Sequence, residues 1–284
     1  MGIGLAMAGG GLKGVAHIGV IKALNELGVD IDYLSGTSSG SIFATMYALG
    51  CSIEEMKVGA QDCVKKLTVI KKKPIVRAGW IYATKRKLDL PGLMNGENVE
   101  NLVQRIADAK KIQNMNEISL PFAIATVDTI STKECIFLSK ETKNTNQDIE
   151  HLYNVPVSKA VRASMAFPGI FTTCDYDKYN FIDGGTKDNL PVHILKEMGA
   201  KKTLGVSFKI DDYVPSNNPM DIVLRTVDIF SLKDVRAAQK EADLAIEIDA
   251  SSASLLEIED MDKLIDIGYN TIMNNKEEIL KLVK

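Results

Sequence analysis

Histidine is scarce in this chain, with three residues in 284, at positions 17, 151 and 193. None sits in a loop late in the chain, where a Ser, Asp, His order would place the base of a serine triad. Cysteine is nearly as sparse: Cys51, Cys63, Cys135 and Cys174 stand far apart with no C-x-x-C pair. That spacing indicates neither a disulfide framework nor a zinc site and reads as buried thiols in a reducing compartment. Long apolar runs are missing too. No stretch reaches the roughly 18 residues of a membrane span, and the N-terminal MGIGLAMAGGG has no cationic leader ahead of its apolar run. A net charge of -3 gives no overall electrostatic footprint for nucleic acid. The expectation is a cytoplasmic protein, with peripheral contact at the inner membrane surface raised by one basic segment described below.

What is present suits a packed globular protein. The chain is 45% hydrophobic and 25% charged, enough to bury a substantial core. Its elements alternate between β and α, which predicts a three-layer αβα fold with a largely parallel central sheet. The predicted order runs strand 3–8, helix 12–27, strand 31–34 and helix 39–49, and a Ser52/Glu55 capping box then starts the next helix. A helix over 97–109, strands 122–127 and 135–138, and a helix around 156–165 follow. An irregular or hairpin segment over 171–182 leads to helix 192–198, strand 203–208, helix 221–241, strand 244–248 and a terminal helix 261–282. With no repeat and no long linker, a single domain over 1–284 is the simplest organisation, with a basic lid or cap-like insertion around 52–115.

The most informative stretch is Gly36-Thr37-Ser38-Ser39-Gly40, where the strand over 31–34 turns into a helix. A serine on such an elbow is forced onto a tight turn with its hydroxyl projecting from the sheet, so Ser38 is a candidate nucleophile. G-x-S-x-G alone is weak evidence, since average usage supplies it by chance in roughly one chain of this length in ten. A second turn adds to it. Gly9-Gly10-Gly11-Leu12-Lys13-Gly14 joins the first strand to the first helix, and Gly9, Gly11 and Gly14 match a dinucleotide fingerprint. That reading wants an acid at the far end of the second strand, but Asp30 and Asp32 fall before or at its start. The better reading is an oxyanion hole, in which backbone N–H groups at a helix start converge on a developing negative charge, with a structural turn as the alternative. Both turns lie at the carboxyl edge of a parallel sheet and can face one crevice.

A serine nucleophile needs a base. Asp183, followed by Gly184 and Gly185 at the end of an apolar segment, is presented at a strand end where the backbone turns away. An ordinary Asp-Gly turn is the alternative.

Together these residues resemble the patatin-like phospholipase family. The likeness runs through the loop Gly9 to Gly14, the elbow Gly36 to Gly40, the segment Arg162-Ala163-Ser164-Met165-Ala166-Phe167-Pro168, the Asp183-Gly184-Gly185 triplet and Asn189-Leu190-Pro191. It covers nearly the whole chain, most weakly between Cys51 and Met115, and departs at Ala8, where family members often carry Ser or Asp. The resemblance implies a Ser-Asp dyad. Asp183 takes the Ser38 proton as Oγ attacks an acyl ester, and N–H groups of Gly10, Gly11 and Leu12 hold the oxyanion. Neither a metal nor a cofactor is required. Ser38→Ala and Asp183→Asn are then expected to abolish ester hydrolysis, and His193→Ala is not. The substrate is a lipid ester whose head group and chain length stay open, as does oligomeric state.

Two further features carry alternatives. Lys13 is either solvated at the helix start or, as the resemblance suggests, a cation beside the oxyanion loop where a substrate phosphate docks. Residues Lys65 to Lys87 hold nine Lys and Arg without an acid, interleaved with Trp80, Tyr82 and aliphatic residues. They form either a solvated face or a lid that docks on anionic lipid. Two other function classes are an acyltransferase on the same dyad and a catalytically weak regulatory protein at a membrane surface. The malonyl-transfer type would want His beside the serine, where Thr37 stands.

Overall fold

In the computed structural model the described residues are 2–68, 94–144, 146–210, 215, 219–251 and 260–284. The basic segment read from the sequence lies outside them from residue 69 onward.

The first strand, β1 (Ile3–Met7), is buried along its whole length, as a strand covered by helices on both faces must be. Its side chains alternate between two cores. Ile3, Leu5 and Met7 join the main apolar cluster, and Ala6 joins a smaller one with Leu190, Val192 and Leu195. After a 3-10 turn, Gly11–Val15, come α1 (Ala16–Glu26), β2 (Ile31–Thr37), α2 (Ser39–Ala48) and α3 (Ile53–Thr68). The predicted capping box starts α3: Ser52 N–H donates to Glu55 Oε2 (2.7 Å) and Glu55 N–H to Ser52 Oγ (3.2 Å).

Next are α4 (Glu97–Lys110), β3 (Phe122–Asp128), β4 (Glu134–Leu138), β5 (Ile149–Leu152) and α5 (Val157–Ser164). A hairpin of β6 (Cys174–Tyr176) and β7 (Tyr179–Asp183) precedes α6 (Val192–Glu197), β8 (Thr203–Phe208), α7 (Pro219–Glu241) and β9 (Leu244–Ile248). The chain closes with α8 (Asp260–Asn274) and α9 (Lys276–Leu282).

The sheet runs β5-β4-β3-β2-β1-β8-β9, with β7 also paired to β3. From β3 to β9 every pairing on this path is parallel. The chain leaves β1 toward β2 on one side and later returns beside β1 as β8 on the other. β1 is therefore a switch point, and in open sheets of this kind ligands bind outside the carboxyl ends of the strands that flank it.

Two local expectations are revised. The helix predicted over 12–27 begins as a 3-10 turn and becomes α-helical only at Ala16. The predicted terminal helix is broken at Asn275, whose Nδ2 donates to Thr271 O (2.8 Å) and whose carbonyl accepts the N–H groups of Glu278 and Ile279. His151 lies on β5, which pairs in parallel with β4.

Within the stretch read as an insertion, α3 and α4 contribute Met56, Ala60, Val64, Val99, Leu102 and Val103 to the main core. Among the described residues no helix is long and apolar enough to cross a membrane.

Candidate active site

The glycine loop is fastened at two points. Gly9 N–H donates to Asn189 Oδ1 (3.1 Å), and Asn189 Nδ2 returns a longer bond to Gly9 O (3.3 Å). Gly10 N–H donates to Ser39 Oγ (3.0 Å), tying the loop to the start of α2. Gly11 has φ 58° and opens the 3-10 turn. N–H groups at the first positions of such a turn have no acceptor within it, so those of Gly11 and Leu12 are the loop's available donors. A Cβ at Gly9 would lie 2.7 Å from Ser38 Cβ, so only glycine lets the loop approach the serine.

Ser38 is the hinge between β2 and α2, with φ 51° and ψ -127°. For a residue with a side chain this left-handed turn costs about 1–3 kcal/mol, and the surroundings must hold it. Ser38 N–H donates to Ser164 Oγ (2.9 Å), and Ser164 Oγ donates to Ala125 O (2.7 Å). Ser38 O accepts Ser41 N–H (2.9 Å) and Ser41 Oγ–H (2.6 Å). The preceding Thr37 Oγ1 donates to Asp188 O (2.8 Å). Behind the elbow, Gly40 passes so close to β1 that a Cβ would sit 2.3 Å from Met7 O.

Ser164 is therefore the brace of the elbow. Ser164→Ala leaves two buried backbone groups, Ser38 N–H and Ala125 C=O, without that partner. It should destabilise the fold by about 2–3 kcal/mol in denaturant unfolding. An unchanged midpoint would contradict this role.

Asp183 ends β7. Its N–H donates to Ala166 O (3.0 Å), and its Oδ1 accepts Gly185 N–H (2.7 Å). The residue is 0% exposed, and Oδ2 has no hydrogen-bond partner. Burial pushes the carboxyl up to about 7, opposed by the nearby Ser38 hydroxyl and the Gly185 N–H. The two side chains are thus in electrostatic reach without a hydrogen bond of good geometry. The Ser38 hydroxyl points instead to Met165 Sδ at 3.8 Å.

The histidines are committed elsewhere. His17 is fully buried with Nε2 2.9 Å from Ala8 O, its ring edge-on to Phe208. Burial lowers its pKa to about 4 despite the bond to Ala8, so the ring is neutral and donates Nε2–H to that carbonyl. It supports the backbone just before the glycines. Burial would also lower the pKa of His193, but hydrogen bonds to Asp188 and Glu134, with the Glu197 carboxylate nearby, outweigh it and hold the ring well above its usual range. His151 faces Glu197 from β5. No histidine nitrogen is hydrogen-bonded to Ser38.

The structure brings Ser38, the glycine loop and Asp183 together at the carboxyl edge of the parallel strands. It also buries Lys13, at 9% exposure, where a solvated helix start was one alternative. The bracing roles of Ser164 and Asn189 were not read from the sequence, although both lie in segments that carry the family resemblance.

Among known proteins, the chain is 29% identical over 212 residues to patatin-like phospholipase domain-containing protein 6 of Homo sapiens, matching 74% of this chain and 14% of that protein. It is 26% identical over 217 residues to lysophospholipase NTE1 of Meyerozyma guilliermondii, 76% of this chain and 13% of that protein. The chain thus spans a small part of these relatives' length. Among solved structures, the type III effector protein ExoU superposes with a TM-score of 0.51 at 14% identity, over 98% of this chain and 53% of the other. At that identity the likeness concerns the fold. A family model described as patatin-like phospholipase matches residues 5–196, from within β1 into the helix after the Asp-Gly-Gly turn, and the chain therefore belongs to that family.

Proposed function

We propose that this protein hydrolyses fatty acyl esters of lipids through a Ser38–Asp183 dyad. The observation that carries this reading is a fully buried carboxyl with an open Oδ2, beside the hydroxyl of a serine held in a left-handed turn. Ionised Asp183 takes the hydroxyl proton on Oδ2 as Ser38 Oγ bonds to the acyl carbon. The carbonyl oxygen becomes an oxyanion, met by the N–H groups of Gly11 and Leu12. Gly10 N–H joins them by releasing Ser39 Oγ. The tetrahedral intermediate expels the alcohol, which leaves with the proton from Asp183. Water then attacks the acyl-enzyme and gives a proton to the same carboxylate, which passes it to Ser38 Oγ as the acyl–Oγ bond breaks and the fatty acid leaves.

Asp183 suits the task because its pKa near 7 makes it a stronger base than an exposed carboxylate, with a substantial ionised fraction at neutral pH. The names of the relatives support phospholipids or lysophospholipids as the ester class. Docking on anionic membranes through Lys65 to Lys87 rests on sequence alone.

The test is a panel of phospholipids, lysophospholipids and triacylglycerols incubated with purified protein, with released fatty acids identified by mass. Release from a phospholipid or lysophospholipid that vanishes in Ser38→Ala is expected. No release from any member, or release that survives Ser38→Ala, would overturn the proposal.

A further inference from the structure

A second cluster of chemically active side chains lies behind the elbow and takes no part in the hydrolysis. His193, on α6, directs Nε2 at two carboxylates at once: Asp188 Oδ2 at 3.1 Å and Glu134 Oε1 at 3.2 Å. The three atoms all lie within 4.8 Å of one another. Two ligands each about 2.0–2.2 Å from one cation, at angles between square and tetrahedral, sit roughly 2.8–3.6 Å apart. Both measured separations fall in that window. The site is also open to entry, since the His193 side chain is 27% exposed.

The surroundings repeat the pattern found behind metal-bound histidines, where a carboxylate holds the other ring nitrogen. Glu197 Oε1 lies 3.7 Å from His193 Nδ1, and its Oε2 lies 3.6 Å from His151 Nε2. His151 adds a second buried imidazole behind Glu197, on the far side of the cluster from the two converging carboxylates. Its side chain is 4% exposed. Charge points the same way. Two carboxylates converge on one imidazole nitrogen, a donor set that suits a cation.

We propose that Glu134, Asp188 and His193 form a binding site for a divalent transition-metal ion of the Zn2+ or Mn2+ type, with Glu197 and His151 orienting the histidine. A mixed nitrogen and carboxylate set favours such ions over Mg2+ or Ca2+, which prefer oxygen alone. The metal replaces the ring proton, which leaves to solvent. Its role is structural. Asp188 O accepts Thr37 Oγ1 beside the nucleophile, and the next residue, Asn189, clamps Gly9. A cation joining β4, this loop and α6 would lock the segment that carries both Asp183 and Asn189.

The experiment titrates Zn2+, Mn2+ and Mg2+ into chelator-treated full-length protein, followed by calorimetry and thermal unfolding. One Zn2+ or Mn2+ per chain is expected, with a Tm rise of about 5 °C at saturation and no response to Mg2+. Glu134→Gln and His193→Gln should each weaken binding at least about tenfold. Should those variants not fold, Co2+ added to the wild-type protein decides, since the site predicts visible absorption bands that Zn2+ bleaches. No binding by the wild-type protein, binding unaffected by both variants, or a Co2+ spectrum without such bands would each reduce the cluster to an ion pair centred on a protonated histidine and overturn the proposal.

Discussion

Asp183→Asn should lower the rate of ester hydrolysis by about 10^4-fold or more, and Ser38→Ala by a similar factor, because members of one proton-transfer unit fail together. The asparagine change is the more telling. It keeps the shape and the acceptor that holds Gly185 N–H, and so leaves the turn at the end of β7 intact. What it removes is the base of the proposed dyad. At the position of Oδ2 an amide would present N–H to the Ser38 hydroxyl and could take no proton from it. Initial rates of fatty acid release measure the effect. A variant within tenfold of the native rate would show that the proton goes elsewhere.

The second large effect is a pH dependence of stability set by the same carboxyl. Burial raises its pKa to about 7 from 3.8, so the folded state binds a proton that the unfolded state has released between those values. The stabilising contribution of the protonated group is complete below the unfolded pKa and is lost as pH rises through about 7. Between pH 5 and pH 8 the loss amounts to about 2–3 kcal/mol. Asparagine does not titrate. Asp183→Asn should therefore gain stability relative to the native protein by that amount on going from pH 5 to pH 8, read as about 5–10 °C of relative Tm. A relative Tm independent of pH would mean that Asp183 is not held near neutrality. Catalysis has the opposite preference: kcat/KM should climb with pH up to about 7 and then level off, since only the ionised form is a base. A buried carboxylate at the working pH is thus a cost in stability accepted for chemistry.

The parts of the site legible in the sequence are those in which one turn of chain does one job. Ser38 with Gly36 and Gly40, the glycines at 9 to 14, and Asp183 with its following glycines each announce a tight turn at a strand end through small residues. A burial-driven alternation of β and α likewise fixed the parallel sheet. What stayed hidden depends on side chains meeting across long separations. Ser164 reaches back 126 positions to the Ser38 N–H, and Asn189 reaches 180 to Gly9. Nothing in a local pattern distinguishes such a serine or asparagine from a surface residue. Glu134 and His193 are likewise 59 positions apart and meet only because α6 packs behind the loop at Asp188. His151 was obscured for a different reason: β5 is short and half-buried at the sheet edge, and its sequence Ile-Glu-His-Leu lacks the β-branched run that marks a strand.

The account depends on Ser38 being a nucleophile activated by Asp183, and covalent trapping addresses that most directly. A fluorophosphonate carrying an alkyl chain transfers its phosphonyl group to an activated serine hydroxyl and releases fluoride. Peptide mass mapping of the treated protein should find one adduct, on Ser38, and Asp183→Asn should label orders of magnitude more slowly. An adduct on another residue, or equal labelling of native protein and Asp183→Asn, would contradict the dyad.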